Sequence, residues 1–67
     1  MKYKVGDMVK VRNDLKPDKK YGAWCTVPEM MEHLGKVATI TEVHEKDYHL
    51  SVDDEMWYWT NEMLEPM

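Results

Sequence analysis

Cysteine occurs once in the 67 residues, phenylalanine not at all, and glycine and proline three times each. A single thiol, Cys25, excludes an internal disulfide framework, so the oxidised secreted mini-protein class falls away. No apolar run approaches the ~18 residues of a membrane span. Met1-Lys2-Tyr3-Lys4-Val5-Gly6-Asp7 has no apolar stretch of the kind a secretory leader needs, and the sequence therefore predicts a cytoplasmic protein without a membrane segment. Basic residues are in the minority, nine Lys and Arg against thirteen Asp and Glu. The deficit is uneven: residues 1–20 carry +4 and residues 21–67 carry −8. An acidic balance argues against general nucleic-acid binding, which rests on phosphate neutralisation. The charges of the two halves pair across the surface if the strands face one another; the alternatives are an acidic face for a basic partner or a small basic one for phosphate.

What the chain does have is a run of aromatics, Met56-Trp57-Tyr58-Trp59-Thr60. Strand alternation sends Trp57 and Trp59 to one face and Met56 and Tyr58 to the other. A domain of this length buries only about 60% of its unfolded surface, so two indoles on one face would form much of the core. The other apolar runs then read as what covers them. Val5, Val9 and Val11 share a face of a first strand that bends at Gly6-Asp7 and stops at Lys16-Pro17-Asp18. No second strand pattern follows from Asn13 to Leu34. Within that long connection, Thr26-Val27-Pro28-Glu29 predicts a capping box, in which the Thr26 hydroxyl caps a short helix through Met30, Met31 and Leu34, with Gly35 as its stop. In Lys36 to Val43, Val37 and Ile40 demand opposite faces, as do Ile40 and Val43, which predicts a bulge. Tyr48, Leu50 and Val52 share a face after a tip at Glu45-Lys46-Asp47. Asp53-Asp54-Glu55 is a turn, and Asn61 is placed to cap a helical turn from Glu62 to Leu64 before a closing strand at Glu65-Pro66. The reading is a single all-β domain over residues 1–67: a small five-stranded SH3-like barrel, with a short helix in the long first loop and one helical turn before the last strand.

The series Val5-Gly6-Asp7-x-Val9-x-Val11-Arg12, Tyr21-Gly22-x-Trp24, Gly35-x-Val37, Trp57-x-Trp59 and Glu62-x-Leu64-Glu65 spans nearly the whole chain. It resembles the SH3-like repeat of the mind bomb ubiquitin ligases and of small proteins from bacteria and their viruses. The resemblance implies an SH3-like barrel and, from the ligases, a role in binding a protein. This chain has neither a second repeat nor a ligase segment, so the ligase's partner class does not carry over. The Val-Gly-Asp opening with Gly35-Lys36-Val37 also looks like the KOW motif of ribosome- and transcription-associated barrels, whose basic surface is missing here. The Ala-Leu-Tyr-Asp-Tyr run of proline-binding SH3 domains has no counterpart.

Candidate sites follow from these patterns. Tyr21, Trp24, Tyr58 and Met63 would converge on one groove, where Tyr and Trp offer rigid contact area to a peptide; if one of the loop pair is buried, Trp24 is the better candidate. Asp53, Asp54 and Glu55 form an acidic face. Two further constellations are weaker. Cys25 with His33 lacks the third group and the oxyanion donor that a nucleophile needs. His44 and His49, facing each other if Lys46-Asp47 is a two-residue turn, could hold a metal with a nearby carboxylate, but the expectation is no cofactor and no metal. The function predicted is a non-catalytic interaction module for a protein or peptide partner, monomeric or weakly self-associating, in the manner of a phage-encoded inhibitor or adaptor. The alternatives are a KOW-like nucleic-acid-associated barrel using Lys2, Lys4, Lys10, Arg12, Lys19 and Lys20, and a self-associating structural subunit.

Overall fold

The computed structural model describes residues 2–67. Its strands are β1 (Met8–Val11), β2 (Lys20–Tyr21), β3 (Trp24–Cys25), β4 (Val37–Val43), β5 (Tyr48–Leu50) and β6 (Leu64–Pro66), with 3-10 turns at Pro28–His33, Ser51–Asp53 and Asn61–Met63. β1 lies inside an antiparallel four-stranded sheet of order β5-β4-β1-β6. Val9 stands opposite Ala38 on one side and Pro66 on the other. Val9 and Val11 are fully buried while Met8 is exposed, as the period-two pleat requires.

Val5 does not share that face. Gly6 adopts φ +94°, and Asp7 N–H donates to the Lys4 carbonyl at 3.0 Å, so the chain turns just before β1 and leaves Val5 exposed. Tyr3, two residues earlier, is buried in the core. Its amide donates to the Tyr48 hydroxyl at 2.9 Å, and that hydroxyl donates to Asn61 Oδ1 at 2.6 Å. Asn61 therefore caps nothing: Thr60 is the N-cap residue of the last 3-10 turn, without a side-chain cap.

The bulge expected in β4 is present. The pairing with β5 shifts between Ile40 and Glu42, so Ala38 and Ile40 are buried and Val43 still packs against the core. Val37, left on the other side, is exposed. The turn after Val43 differs from the expected one. Val43 pairs with Tyr48 and Glu42 with His49, so His44 to Asp47 form a four-residue loop, closed by His44 N–H donating to the Asp47 carbonyl at 2.8 Å.

Two further expectations fail within the long connection. Thr26 caps no helix. The turn over Pro28–His33 is 3-10, its N-cap is Val27, and the buried Thr26 hydroxyl instead donates to the Lys16 carbonyl while the Lys19 amide donates to it at 3.3 Å. The connection also contains a hairpin, β2–β3, turning at Gly22-Ala23 with Gly22 at φ +70°. Strands of two residues are too short to show a period.

The aromatic run is not a full strand. Asp54 and Glu55 both have positive φ, and the Asp53 carboxylate takes the Trp57 amide at 3.0 Å, which removes that donor from the ladder. Only Tyr48 and Trp59 bridge, exchanging backbone bonds of 2.8 and 3.0 Å. The result is a compact, β-rich globule of 27 × 22 × 20 Å, and among the described residues its strands do not close into a barrel.

Trp59 is the centre of the core, with Tyr48, Met30, Ile40, Leu50 and Met63 also fully buried around it. Its indole N–H donates to Asp53 Oδ2 at 3.0 Å, which satisfies the one polar atom the ring brings inside. Burying ~150–250 Å² of indole at ~25 cal/mol per Å² stabilises the fold by about 4–6 kcal/mol before entropy is counted. Trp57 lies half-buried against the same core.

Candidate functional site

The exposed side of the aromatic run sets up the site. With Trp59 fixed inward, alternation turns Tyr58 outward, where it is 50% exposed. The β2–β3 hairpin brings Trp24, 45% exposed, to the same place from the other half of the chain. The rings stack with centroids 6.1 Å apart and planes 27° from parallel. Tyr58 also stacks on His49 at 5.0 Å, and His44 stands edge-on to both His49 and Tyr58. Two aromatic rings and two imidazoles thus form one continuous surface.

Asp47 holds the surface together. Its side chain lies in the β4–β5 loop and is nearly buried. Oδ2 accepts from the Trp24 indole N–H at 2.8 Å, and Oδ1 accepts from His44 Nδ1–H at 2.7 Å. The other His44 nitrogen, Nε2, lies 2.8 Å from Glu42 Oε1. With Glu42 and Asp47 both hydrogen-bonded to its ring, His44 is held above the ordinary imidazole pKa, and Glu42 is held below the usual carboxylate value by His44. A ring nitrogen of His49 lies 3.3 Å from the Trp57 carbonyl.

The residues expected to form a groove divide. Trp24 and Tyr58 do meet, but it is Trp24 that stays exposed and Tyr21 that packs on the core. The Tyr21 hydroxyl accepts from the Lys16 amide at 2.9 Å, and its carbonyl accepts from the Thr60 hydroxyl at 2.8 Å, which ties the hairpin to the segment after Trp59. Met63 is fully enclosed because the 3-10 turn Asn61–Met63 rolls it inward; it belongs to the core and offers no surface.

The acidic run also divides. Asp53 is spent on Trp57 and Trp59. Glu55 accepts from the Thr41 hydroxyl at 2.9 Å. Asp54, together with Asp53, lines a shallow depression with Glu29, Glu32, Met56 and Trp57. Cys25 is exposed on β3, whereas His33 is buried edge-on against Trp59, and no hydrogen bond joins the two.

Asp47 and Glu42 were not singled out from the sequence. Their signal was the spacing of His44 and His49 across a hairpin, read in the wrong register. At the opposite sign of charge, Arg12 donates to Asp14 at 2.6 and 3.0 Å, which raises its own pKa and lowers that of Asp14. Among the described residues, no helix is long and apolar enough to cross a membrane. The chain matches no family model, no curated protein and no solved structure.

Proposed function

We propose that this chain is a small SH3-like barrel acting as a non-catalytic interaction module, and that it takes a basic, extended segment of a protein partner across Trp24 and Tyr58. The strand order supports the barrel reading, with β6 and β4 on either side of β1, β5 beyond β4, and the Trp59 bridge beyond β5. A 3-10 turn directly before the last strand supports it too. In such a barrel the long first connection and the β4–β5 loop flank one groove. Here those two segments meet at the bond from Trp24 to Asp47.

One observation carries the functional reading. Two half-exposed aromatic rings from opposite halves of the chain stack at the surface, and the indole N–H is already satisfied by a nearly buried carboxylate. What the pair presents outward is flat apolar area, pre-ordered and cheap to bury, as in interaction hot spots. Glu42 and Glu45 lie on the same hairpin and are exposed, so a Lys or Arg of the partner would gain both a carboxylate and a ring face. The KOW-like reading gains less, because Arg12, a leading cation of that set, is bound to Asp14.

The test begins with crosslinking and mass spectrometry from the native cell to obtain the partner. Tyr58→Ala is then compared with a control at another exposed apolar residue, Val5→Ala. Loss of a hot-spot aromatic costs about 2 kcal/mol, more than tenfold in affinity, while both variants stay folded. Equal binding by the two variants refutes the site. Sub-micromolar nucleic-acid binding at about 150 mM salt, lost on charge reversal at Lys10 and Arg12, would replace the reading with the KOW-like one.

A further inference from the structure

The β4–β5 hairpin carries a donor set of another kind. One carboxylate oxygen of Glu42 and one ring nitrogen each of His44 and His49 all lie within 4.8 Å of one another. Glu42 is exposed and both imidazoles are partly exposed, so an ion can reach them from solvent. Two imidazoles and one carboxylate are the donors of zinc and its late first-row neighbours. Calcium and magnesium require mainly oxygen donors, and here there is one carboxylate.

The surrounding bonds orient these donors. His44 Nδ1–H is held by Asp47 Oδ1 at 2.7 Å, which turns Nε2 toward Glu42. Asp47 is in turn held by the Trp24 indole at 2.8 Å. A carboxylate behind a histidine is the arrangement that fixes ring orientation and raises basicity in metal sites. His49 is steadied by its stack on Tyr58 and its contact with the Trp57 carbonyl. We propose that Glu42, His44 and His49 form a binding site for a divalent transition-metal ion of the zinc class, with Asp47 as the positioning residue behind His44.

The metal takes the place of the proton between His44 Nε2 and Glu42 Oε1. Those atoms are 2.8 Å apart, and tetrahedral donors with bonds of ~2.0–2.1 Å need about 3.3 Å. The exposed Glu42 side chain supplies that small opening by rotation. The fourth position faces solvent and is taken by water. Because Glu42 lies on β4 and His49 on β5, the ion staples the two strands beside the bulge. The site shares Glu42 with the interaction reading, but zinc binding is measured on the chain alone, so either can fail without the other.

The experiment is calorimetric titration of untagged, chelator-treated protein with zinc chloride, in a Cys25→Ser background so that the exposed thiol does not compete. Imidazole nitrogen spectra are recorded on the same samples. The expected result is one ion per chain, with perturbed ring nitrogens at His44 and His49 and unperturbed ones at His33. His49→Gln and Glu42→Gln should each weaken binding at least tenfold, Glu45→Gln should not, and calcium and magnesium should give no heat. Both deciding substitutions lie at accessible positions, and their folding is verified by the unchanged amide spectrum of the core. Millimolar affinity, more than one ion per chain, or equal binding in His49→Gln and Glu45→Gln overturns the proposal.

Discussion

Replacing Thr26 by valine tests the way the long connection is tied down. Valine has nearly the shape of threonine, but the swap is not neutral at this fully buried position, because a methyl replaces the hydroxyl where it meets the Lys16 carbonyl. That hydroxyl donates to the Lys16 carbonyl and accepts from the Lys19 amide. Each of these partly buried bonds contributes about 0.5–1.5 kcal/mol. A loss of about 2 kcal/mol is therefore expected. In a domain of this size that lowers Tm by roughly 8–16 °C. Thr26→Ser keeps the oxygen and gives up one methyl, about 0.8 kcal/mol. The order wild type, serine, valine in decreasing stability, by thermal and urea unfolding, is the signature. Amide exchange should accelerate first at Lys19. If valine is as stable as serine, the hydroxyl's bonds do not hold the connection, and if the amides from Met31 to Leu34 open before Lys19, the hydroxyl is capping the 3-10 turn after all.

Trp59→Ala should cost about 3–5 kcal/mol, as for other fully buried large aromatics, and it strips Asp53 of a donor as well; a cooperative transition within a few degrees of wild type would refute its central place. His44, raised by Glu42 and then by Asp47, contributes stability that is fully present below the ordinary imidazole pKa of ~6.5 and is lost as pH rises through its elevated folded value. Imidazole titration of metal-free protein should place His44 above that ordinary value, and Glu42→Gln should lower its midpoint. A midpoint unmoved by Glu42→Gln would mean the pair does not form in solution.

The strands were legible where side chains obey a period over several residues. Val9 and Val11 marked β1, Tyr48 and Leu50 marked β5, and the conflict between Ile40 and Val43 in one run marked the bulge. Tyr58 was legible as outward-facing because Trp59 had to be inside. What failed depended on partners distant in the chain. Thr26 sits in a sound capping sequence, yet the carbonyl at Lys16 offers its hydroxyl a buried bond that no local pattern contains. Trp24 stays at the surface because Asp47 and Tyr58 receive it there. The hairpin register is not legible because nothing local marks Asp47, within the tip Glu45-Lys46-Asp47, as the residue whose carboxylate is committed to His44 and Trp24. Half of the candidate site could thus be read as aromatic types, and the other half exists only once the two loops meet.

The strand order has a consequence for how copies of this chain meet one another. A sheet that ends in bare strands invites further strands to add at its edges. At one end β6 finishes on Pro66, which has no N–H to offer, directly after the charged Glu65. At the other end β5 is followed only by the single Trp59 bridge, and the neighbouring Trp57 amide is already claimed by Asp53. Proline and a carboxylate so placed deny an incoming strand the regular row of donors on which fibrillar growth propagates. The same aspartate that steadies the core indole thereby guards an open margin of the sheet.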